Sequence, residues 1–321
     1  MIFIHHVRLS VRLSVCPSVQ MTLSVYFHNF WDGFIERTDT MNCSFFMKLL
    51  EKTYERPIHI SKSPDNADIL VESIFGYMSY LNYKKWKGTI LFTGEPHYGT
   101  IQNVDKYDCV LGFEETSGNF VQCPLYIIFL MSNPEMMNQL TRTGNQMGAP
   151  PPPNRASVIL SKVHGNERLA FMNHLEKKMP VFYGGKYKNN VGRIVSGHCN
   201  SPEMPDFYRR GKFAITMENG DKPHYITEKI INGFRSGVIP VYWGSANISE
   251  YFNPRRFLRL KSASQEDMDE LVNVMVTMTN QEYINIINEP ILARPITDVC
   301  EEILVSVKKI LTSSSSVGSS S

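Results

Sequence analysis

Short apolar runs alternate with amphipathic segments along most of the chain. A strand is predicted at residues 22–28, and a helix at 38–54, where apolar residues recur at helical spacing. Further short apolar runs occupy residues 67–71, 88–92, 107–113 and 121–130. Such alternation is typical of a largely parallel sheet with helices on its faces. The pattern therefore predicts an α/β domain in the first half of the chain.

A proline-rich segment interrupts this alternation. It contains four consecutive prolines, Pro150 to Pro153, which cannot continue a helix or a central strand. We predict a linker at 148–154 between an N-terminal α/β domain, 21–147, and a C-terminal one, 155–311. The alternation begins again with a strand at 156–160, a helix at 167–178 and a strand at 180–183.

Both ends of the chain are low in complexity. Residues 1–20 include a repeat of V-R-L-S in which charges interrupt the apolar positions, and residues 312–321 are rich in serine. We predict that both segments are unstructured. No apolar run reaches the roughly 18 residues of a membrane span, and the first residues do not form a signal peptide.

Composition and charge narrow the class of protein. The 321 residues are 42% hydrophobic, enough for a sizeable core. The net charge of +2 gives no broad positive field, so nucleic acid is not an expected partner. The six cysteines form no C-x-x-C pair, and no zinc site is predicted. Cys109 and Cys123 could be buried thiols or could pair in an oxidising compartment.

The strongest chemical signal lies between residues 212 and 245. A strand at 213–217 ends in Glu218 and Asn219, and Tyr225, Glu228 and Lys229 open a helix. In parallel α/β units, ligands bind where strands end and helix N-termini present free N–H groups. Lys229 can therefore offset the charge of a diphosphate, and Glu228 and Asn219 can bind sugar hydroxyls. Alternatively, Glu228 and Lys229 are solvated charges of a first helical turn.

This region resembles the donor-binding signature of the α1,3-fucosyltransferases, glycosyltransferase family 10. The matching stretches are F-A-I-T-M-E-N (213–219), Y-I-T-E-K (225–229) and S-G-V-I-P-V-Y-W-G-S (236–245). Upstream, the similar stretches are T-G-E (93–95), L-G-F-E (111–114) and P-L-Y (124–126). The resemblance thus covers most of residues 21–311. It implies a GT-B fold, with two Rossmann-like domains facing a cleft and GDP-fucose held by the C-terminal one.

The resemblance also implies a role for each donor-side residue. Arg168 and Lys229 match the cations that bind the donor diphosphate. Glu228 and Tyr225 match contacts to the ribose, and Asn219 matches a contact to the nucleotide. Without the resemblance, Arg168 would be interpreted as an arginine on a helix surface.

Glu95 matches the proposed general base of the family. It follows Gly94 at the end of a predicted strand, and an inverting transfer needs a carboxylate to take the proton of the acceptor hydroxyl. By itself T-G-E would indicate an exposed loop glutamate. Glu218 is a second carboxylate near the donor, and its role stays open.

Two other stretches of the sequence superficially resemble ligand-binding motifs. Asp267 and Asp269 have the D-x-D spacing of metal-binding motifs in other glycosyltransferases, but they lie where acidic residues favour the first turn of a helix. We predict no obligatory metal, although stimulation by Mn²⁺ is compatible with the sequence. Residues 184–186 are G-G-K, without the spacing of a dinucleotide or P-loop motif.

The sequence therefore predicts an inverting fucosyltransferase that moves L-fucose from GDP-fucose to an N-acetylglucosamine-containing glycan or glycoprotein, in α1,3 linkage. The resemblance implies a role in protein and glycan fucosylation. It also implies a lumenal Golgi location for a eukaryotic protein, with the usual membrane anchor not in this chain, and a cytoplasmic location for a bacterial or viral one. Two alternatives stay open. One is a related glycosyltransferase using another nucleotide sugar, and the other is a catalytically silent glycan-binding protein.

Overall fold

The structure is a computed structural model that describes residues 22–37, 41–76, 86–96, 104–115, 117–141, 150–162, 166–196 and 201–313. Its strands form two sheets, and every pairing between neighbouring strands is parallel. Helices cover both. The predicted α/β class is confirmed.

The first half of the chain builds a six-stranded sheet. Its elements are β1 (Leu23–His28), α1 (Ser44–Tyr54), β2 (Ile58–Ile60), β3 (Ile69–Ser73), β4 (Gly88–Thr93), β5 (Cys109–Gly112), β6 (Phe120–Gln122), α2 (Leu125–Ser132) and α3 (Pro134–Thr141). Across the sheet the order is β2-β1-β3-β4-β5-β6. Every residue of β3, β4 and β5 is buried, as expected for central strands covered on both faces.

The second half builds a five-stranded sheet of order β11-β10-β9-β7-β8. Its elements are β7 (Ala156–Val158), α4 (Asn166–Leu175), β8 (Val181–Tyr183), α5 (Glu203–Tyr208), β9 (Phe213–Ile215), α6 (Glu228–Arg235), β10 (Ile239–Tyr242), β11 (Leu258–Arg259), α7 (Gln265–Thr277), α8 (Asn280–Ile287) and α9 (Ile296–Ser313). Because all strands of a parallel sheet run the same way, the residues that follow them share one edge.

Some elements differ from the sequence-based expectation. The apolar run at 121–130 is not one element, because β6 ends before Pro124 and α2 begins after it. Strand β2 is three residues long and was not predicted. Helix α1 begins at Ser44, whose N–H donates to the Asn42 side chain at 2.9 Å.

Helix α9 returns from the second half of the chain to the first. Its buried stripe consists of Val299, Ile303, Val307 and Leu311, which belong to the same apolar cluster as α1 and β4. The predicted domain limits place this helix with the C-terminal domain, whereas its apolar face packs against the N-terminal one. Residues 312 and 313 of the predicted tail are helical. The rest of that tail, residues 1–20, and residues 148 and 149 of the linker lie outside the described residues.

Two further observations concern the membrane and the thiols. Among the helices in the described ranges, none has the length and apolar character that a bilayer span requires. Cys109 and Cys123 are both free and buried, which favours the first of the two alternatives for these residues. Burial raises the pKa of the Cys109 thiol to about 12, so the thiol stays protonated.

Candidate active site

The segment between β9 and α6 contacts the first domain. The backbone N–H of Tyr126 donates to the carbonyl of Ile226 at 2.9 Å. The rings of Phe113 and Tyr225 pack edge to face, with their centroids 5.0 Å apart. Phe113 follows β5 and Tyr126 lies in α2, so residues at the edge where the strands of the first sheet end touch the predicted donor motif.

A set of polar contacts also joins the two domains. The Gln122 side chain, at the end of β6, donates to the Tyr251 hydroxyl at 2.7 Å and lies 3.0 Å from His224 Nδ1. His224 Nδ1 is in turn 2.9 Å from the Tyr251 hydroxyl. Burial lowers the pKa of His224, so the imidazole is neutral near pH 7. The network therefore joins the two domains without a buried ion pair.

The turn that precedes α6 is held by the loop after β10. His224 has a left-handed backbone (φ 55°), and its N–H donates to Ser245 Oγ at 2.8 Å. Gly244 also has a positive φ, of 150°. Helix α6 then begins at Glu228, three residues later than the first residue of the Y-I-T-E-K motif, because Thr227 acts as the N-cap.

Glu218, Thr227 and Lys229 form one hydrogen-bonded cluster at this N-terminus. The N–H and hydroxyl of Thr227 donate to the Glu218 carboxylate at 2.8 and 2.7 Å. The Lys229 ammonium donates to Glu218 Oε2 and to Thr227 Oγ1, both at 3.1 Å. The predicted residues Glu218 and Lys229 are therefore direct partners, and Thr227, which the sequence did not single out, connects them.

Charge is balanced within this cluster. Burial raises the pKa of Glu218, and Lys229 opposes this effect. Burial alone would lower the pKa of Lys229, but Glu218 and Glu228 reverse that effect, and the net pKa is raised. Glu228 Oε1 lies 3.9 Å from the Lys229 ammonium. Lys229 therefore stays protonated near neutral pH in the first turn of α6, where the helix dipole also attracts anions.

Arg168 supplies a second cation from α4. Its side chain is buried rather than on the helix surface, with 2% exposed. Its guanidinium donates to Asn219 Oδ1 at 3.2 Å and to the carbonyls of Met217 and Lys162 at 3.4 and 3.2 Å. Nε is buried and has no hydrogen-bond partner among the described residues. Burial lowers the pKa of Arg168, an effect that Glu218 opposes, so Arg168 lies within reach of the Glu218 charge.

Tyr225 and Glu95 are the remaining predicted site residues whose surroundings the structure describes. Burial and the carboxylates Glu218, Glu95 and Glu228 raise the pKa of Tyr225, so its hydroxyl stays neutral. Burial raises the pKa of Glu95, Lys229 lowers it, and Glu228 and Glu218 raise it further. Glu95 follows β4 in the first sheet and is half-buried. The charges of Glu218, Glu228 and Lys229, more than 120 residues away in sequence, therefore act on Glu95, as expected for a site shared by two domains.

The D-x-D sequence lies elsewhere and has other partners. Asp267 is in the first turn of α7, as predicted, and Asp269 follows at the start of the second turn. The N–H of Asp267 donates to the capping Ser264 hydroxyl at 3.1 Å, and Asp269 pairs with His174 at 2.8 Å. These contacts fit the structural role that the sequence indicated.

Residues 154–285 match a protein-family model, and longer stretches of the sequence are similar to known proteins. Residues 154–285 match the family model described as glycosyltransferase family 10 (fucosyltransferase) C-term. The chain is 26% identical over 273 residues to the α-(1,3)-fucosyltransferase FucT of Helicobacter pylori, covering 74% of this chain and 54% of the relative. It is 27% identical over 238 residues to a putative fucosyltransferase of Acanthamoeba polyphaga mimivirus, covering 72% and 38%. The chain thus spans about half or less of the length of these relatives.

Solved structures show the same fold. An α1,3-fucosyltransferase with GDP superposes with a TM-score of 0.70 at 21% identity, covering 92% of both chains. The structure described as α1,3-fucosyltransferase with GDP-fucose gives 0.67 at 20% identity, covering 94% of both. The fold is the GT-B fold of glycosyltransferases, as predicted. Residues 154–285, about two fifths of the chain, thus match the C-terminal domain of glycosyltransferase family 10, and longer stretches of the chain are similar to fucosyltransferases.

Proposed function

We propose that the protein is an inverting α1,3-fucosyltransferase that transfers L-fucose from GDP-fucose to a hydroxyl of an N-acetylglucosamine-containing glycan. The observation that carries the proposal is the placement of two cations beyond β9, where Arg168 donates to Asn219 and Lys229 donates to Glu218. The half-buried carboxylate of Glu95, from the opposite domain, is close enough for the charge of Lys229 to lower its pKa. The match of residues 154–285 to the fucosyltransferase family model, and the likeness in fold to structures with GDP and GDP-fucose, support the choice of donor.

The donor side binds the diphosphate and stabilises it as a leaving group. Lys229 offers a charged donor in the first turn of α6, and the free N–H groups of that turn add a positive dipole end. Arg168 adds a second charge from α4. As the bond from fucose C1 to the phosphate oxygen breaks, its electron pair stays on GDP, and these groups stabilise the developing negative charge. Asn219, Glu228 and Tyr225 are proposed to orient the nucleoside.

The acceptor side activates the hydroxyl. Glu95 takes the proton as the acceptor oxygen bonds to fucose C1, on the face opposite the departing GDP. One displacement of this kind converts the β-linkage of GDP-fucose into an α-linkage. The raised pKa of Glu95 suits the role, because a base is most effective when its pKa lies near the working pH.

The acceptor, the linkage and the cellular setting are the finer parts of the proposal. The N-acetylglucosamine acceptor, the α1,3 linkage and the contribution to protein fucosylation rest on the family resemblance. So does a lumenal Golgi location for a eukaryotic source, with a cytoplasmic one for a bacterial or viral source.

The direct test is a transfer assay on a glycan array. Purified protein is given labelled GDP-fucose, and UDP-sugars and other GDP-sugars are tested as alternative donors. We expect transfer from GDP-fucose alone, to glycans that contain N-acetylglucosamine, with the anomeric configuration and linkage read by NMR. Transfer from another nucleotide sugar would establish the related glycosyltransferase instead. Glycan binding without transfer would establish the silent binding protein.

Activity is expected to survive the removal of divalent metals. Arg168, Lys229 and the α6 N-terminus are proposed to supply the electrostatic stabilisation that Mn²⁺ supplies in D-x-D enzymes. Initial rates are measured in excess EDTA and again after Mn²⁺ is added back, where modest stimulation is compatible with the proposal. If EDTA abolishes transfer and Mn²⁺ restores it, a metal site is required, and Asp267→Asn and Asp269→Asn become the first variants to measure.

A further inference from the structure

The Glu218 side chain is closed off from the cleft. It lies three residues beyond β9 and is 0% exposed, although it is beside the proposed donor site. Gly244 packs directly on it, since a Cβ added at Gly244 would lie 2.7 Å from Glu218 Cγ. A carboxylate without exposure cannot take a proton from an acceptor hydroxyl. Glu218 therefore acts on other protein groups, and those groups are the ones that it contacts.

Three donor groups among the described residues hydrogen-bond to the Glu218 carboxylate. They are the N–H and hydroxyl of Thr227 and the ammonium of Lys229. Thr227 Oγ1 also accepts from the same ammonium, at 3.1 Å. Two of the three N–H bonds of Lys229 are thereby directed at fixed protein oxygens. Within the described residues the ammonium makes no third hydrogen bond, since Glu228 Oε1 lies 3.9 Å away, so one N–H can serve an oxyanion ligand.

We propose that Glu218 is a positioning residue that holds the Lys229 ammonium, in its charged form, at the N-terminus of α6 for the donor diphosphate. This inference rests on the proposed donor site. The hydroxyl of Thr227 fixes the geometry, because it donates to Glu218 and accepts from Lys229. Preorganisation of this kind spares the enzyme the cost of ordering a long lysine side chain when the donor binds.

The surrounding charges indicate what happens when the Glu218 charge is removed. Lys229 faces Glu218 beyond β9, Glu228 on α6, Arg168 on α4 and Glu95 beyond β4. Burial and Arg168 lower the pKa of Lys229, and Glu218 is the foremost group that raises it. Without Glu218, the pKa of Lys229 falls, and the ammonium is lost at a lower pH. Diphosphate affinity then falls as the pH rises through the lowered pKa.

The test is a double-mutant cycle on GDP binding, measured by calorimetry between pH 7 and pH 9. The variants are Glu218→Gln, Lys229→Ala and the two combined. Because Lys229→Ala has no ammonium at this position, the pH dependence that it retains serves as the baseline for the titration of GDP itself. Relative to the unmodified protein, Glu218→Gln is expected to begin losing GDP affinity at a lower pH, with a total loss of up to about tenfold, the effect of one charge-assisted contact. Glu218→Asp, which keeps the charge, is expected to restore the original pH profile. In the Lys229→Ala background, Glu218→Gln is expected to change affinity by less than about twofold.

A matched control separates positioning from folding. Glu72 is also 0% exposed, at the end of β3, and accepts from the Tyr107 hydroxyl and the Asn29 side chain at 2.5 and 2.9 Å. Glu72→Gln removes an equally buried charge far from Lys229 in the chain. It is expected to lower thermal stability without changing the pH dependence of GDP affinity.

The outcomes separate a failure of the proposed role of Glu218 from a failure of the proposed donor site. An unchanged pH profile in Glu218→Gln, or an affinity loss that persists in the Lys229→Ala background, overturns the role of Glu218. Unchanged GDP affinity in Lys229→Ala overturns the donor site and hence the proposed function. If Glu218→Gln does not fold, Thr227→Val removes the bridging hydroxyl, and the same cycle with Lys229→Ala is measured. Absence of coupling in that cycle also overturns the inference.

Discussion

Glu95→Gln is expected to reduce turnover by about 10²- to 10⁴-fold, the contribution typical of general-base catalysis, and to leave GDP affinity unchanged. Glutamine keeps the size and the hydrogen-bonding capacity of glutamate but cannot accept the acceptor proton. Binding should be spared because Glu95 follows β4 of the first sheet, whereas the cations proposed to hold the diphosphate lie on α4 and α6 of the other half. Turnover is measured with saturating GDP-fucose, and GDP affinity by calorimetry.

The pH profile provides an independent readout of the same role. A general base must be ionised, so kcat/KM falls as the pH falls through its pKa. Burial, Glu228 and Glu218 raise the pKa of Glu95 against the opposing charge of Lys229. The acid limb should therefore lie above the pKa of an ordinary glutamate, about 4.3. In Glu95→Gln this limb should disappear from the residual activity.

The control for this variant is Glu115→Gln. Glu115 follows β5, the neighbour of β4 in the sheet, and its side chain is exposed. Near-normal turnover is expected. If Glu95→Gln lost donor affinity in step with activity, Glu95 would organise the nucleotide site instead. If it kept full activity, the base would be another carboxylate with access to the cleft. The buried Glu218 does not qualify, which leaves Glu228, with 22% of its side chain exposed, as the next variant.

Much of the fold could be predicted because buried parallel strands leave a clear pattern. β1, β3 and β4 are apolar runs of strand length, and each is found where the run predicts it. β2 could not be predicted because only Ile58 and Ile60 are apolar there, and His59 interrupts the run. The position of α9 could not be predicted either, for another reason. Periodicity shows that a helix has an apolar face, but it does not show which sheet that face covers.

The site could be predicted in part, and the limit is physical. Glu218, Asn219 and Lys229 follow one strand or open the next helix, so the α/β rule brings them to one edge. Arg168 is about 50 residues upstream, and only the family resemblance links it to that edge. Thr227 was missed because a threonine before a helix is usually only a cap. The burial of Glu218 depends on the close approach of Gly244, which no local pattern reveals.

Arg168→Ala and Lys229→Ala are each expected to weaken GDP binding by about 1.5 to 3 kcal/mol, roughly one to two decades in affinity, for the loss of one charge-assisted phosphate contact. The two variants should differ in stability. Lys229→Ala leaves the Glu218 carboxylate buried without its counterion, and Arg168→Ala removes the donor to Asn219. Affinity is therefore measured well below each variant's own Tm.

Two further variants separate charge from shape at these positions. Arg168→Lys keeps the positive charge but loses the planar fork that reaches Asn219 and two carbonyls, so it should recover only part of the affinity. Arg255→Ala removes an exposed arginine that pairs with Glu289, and GDP affinity should not change. If GDP bound equally well to Arg168→Ala, Lys229→Ala and Arg255→Ala, the diphosphate would lie elsewhere in the cleft. If only Arg168→Ala and Lys229→Ala weakened binding, both cations would act directly on the donor. Lys229→Ala should in addition abolish the fall of GDP affinity at high pH that is expected of Glu218→Gln.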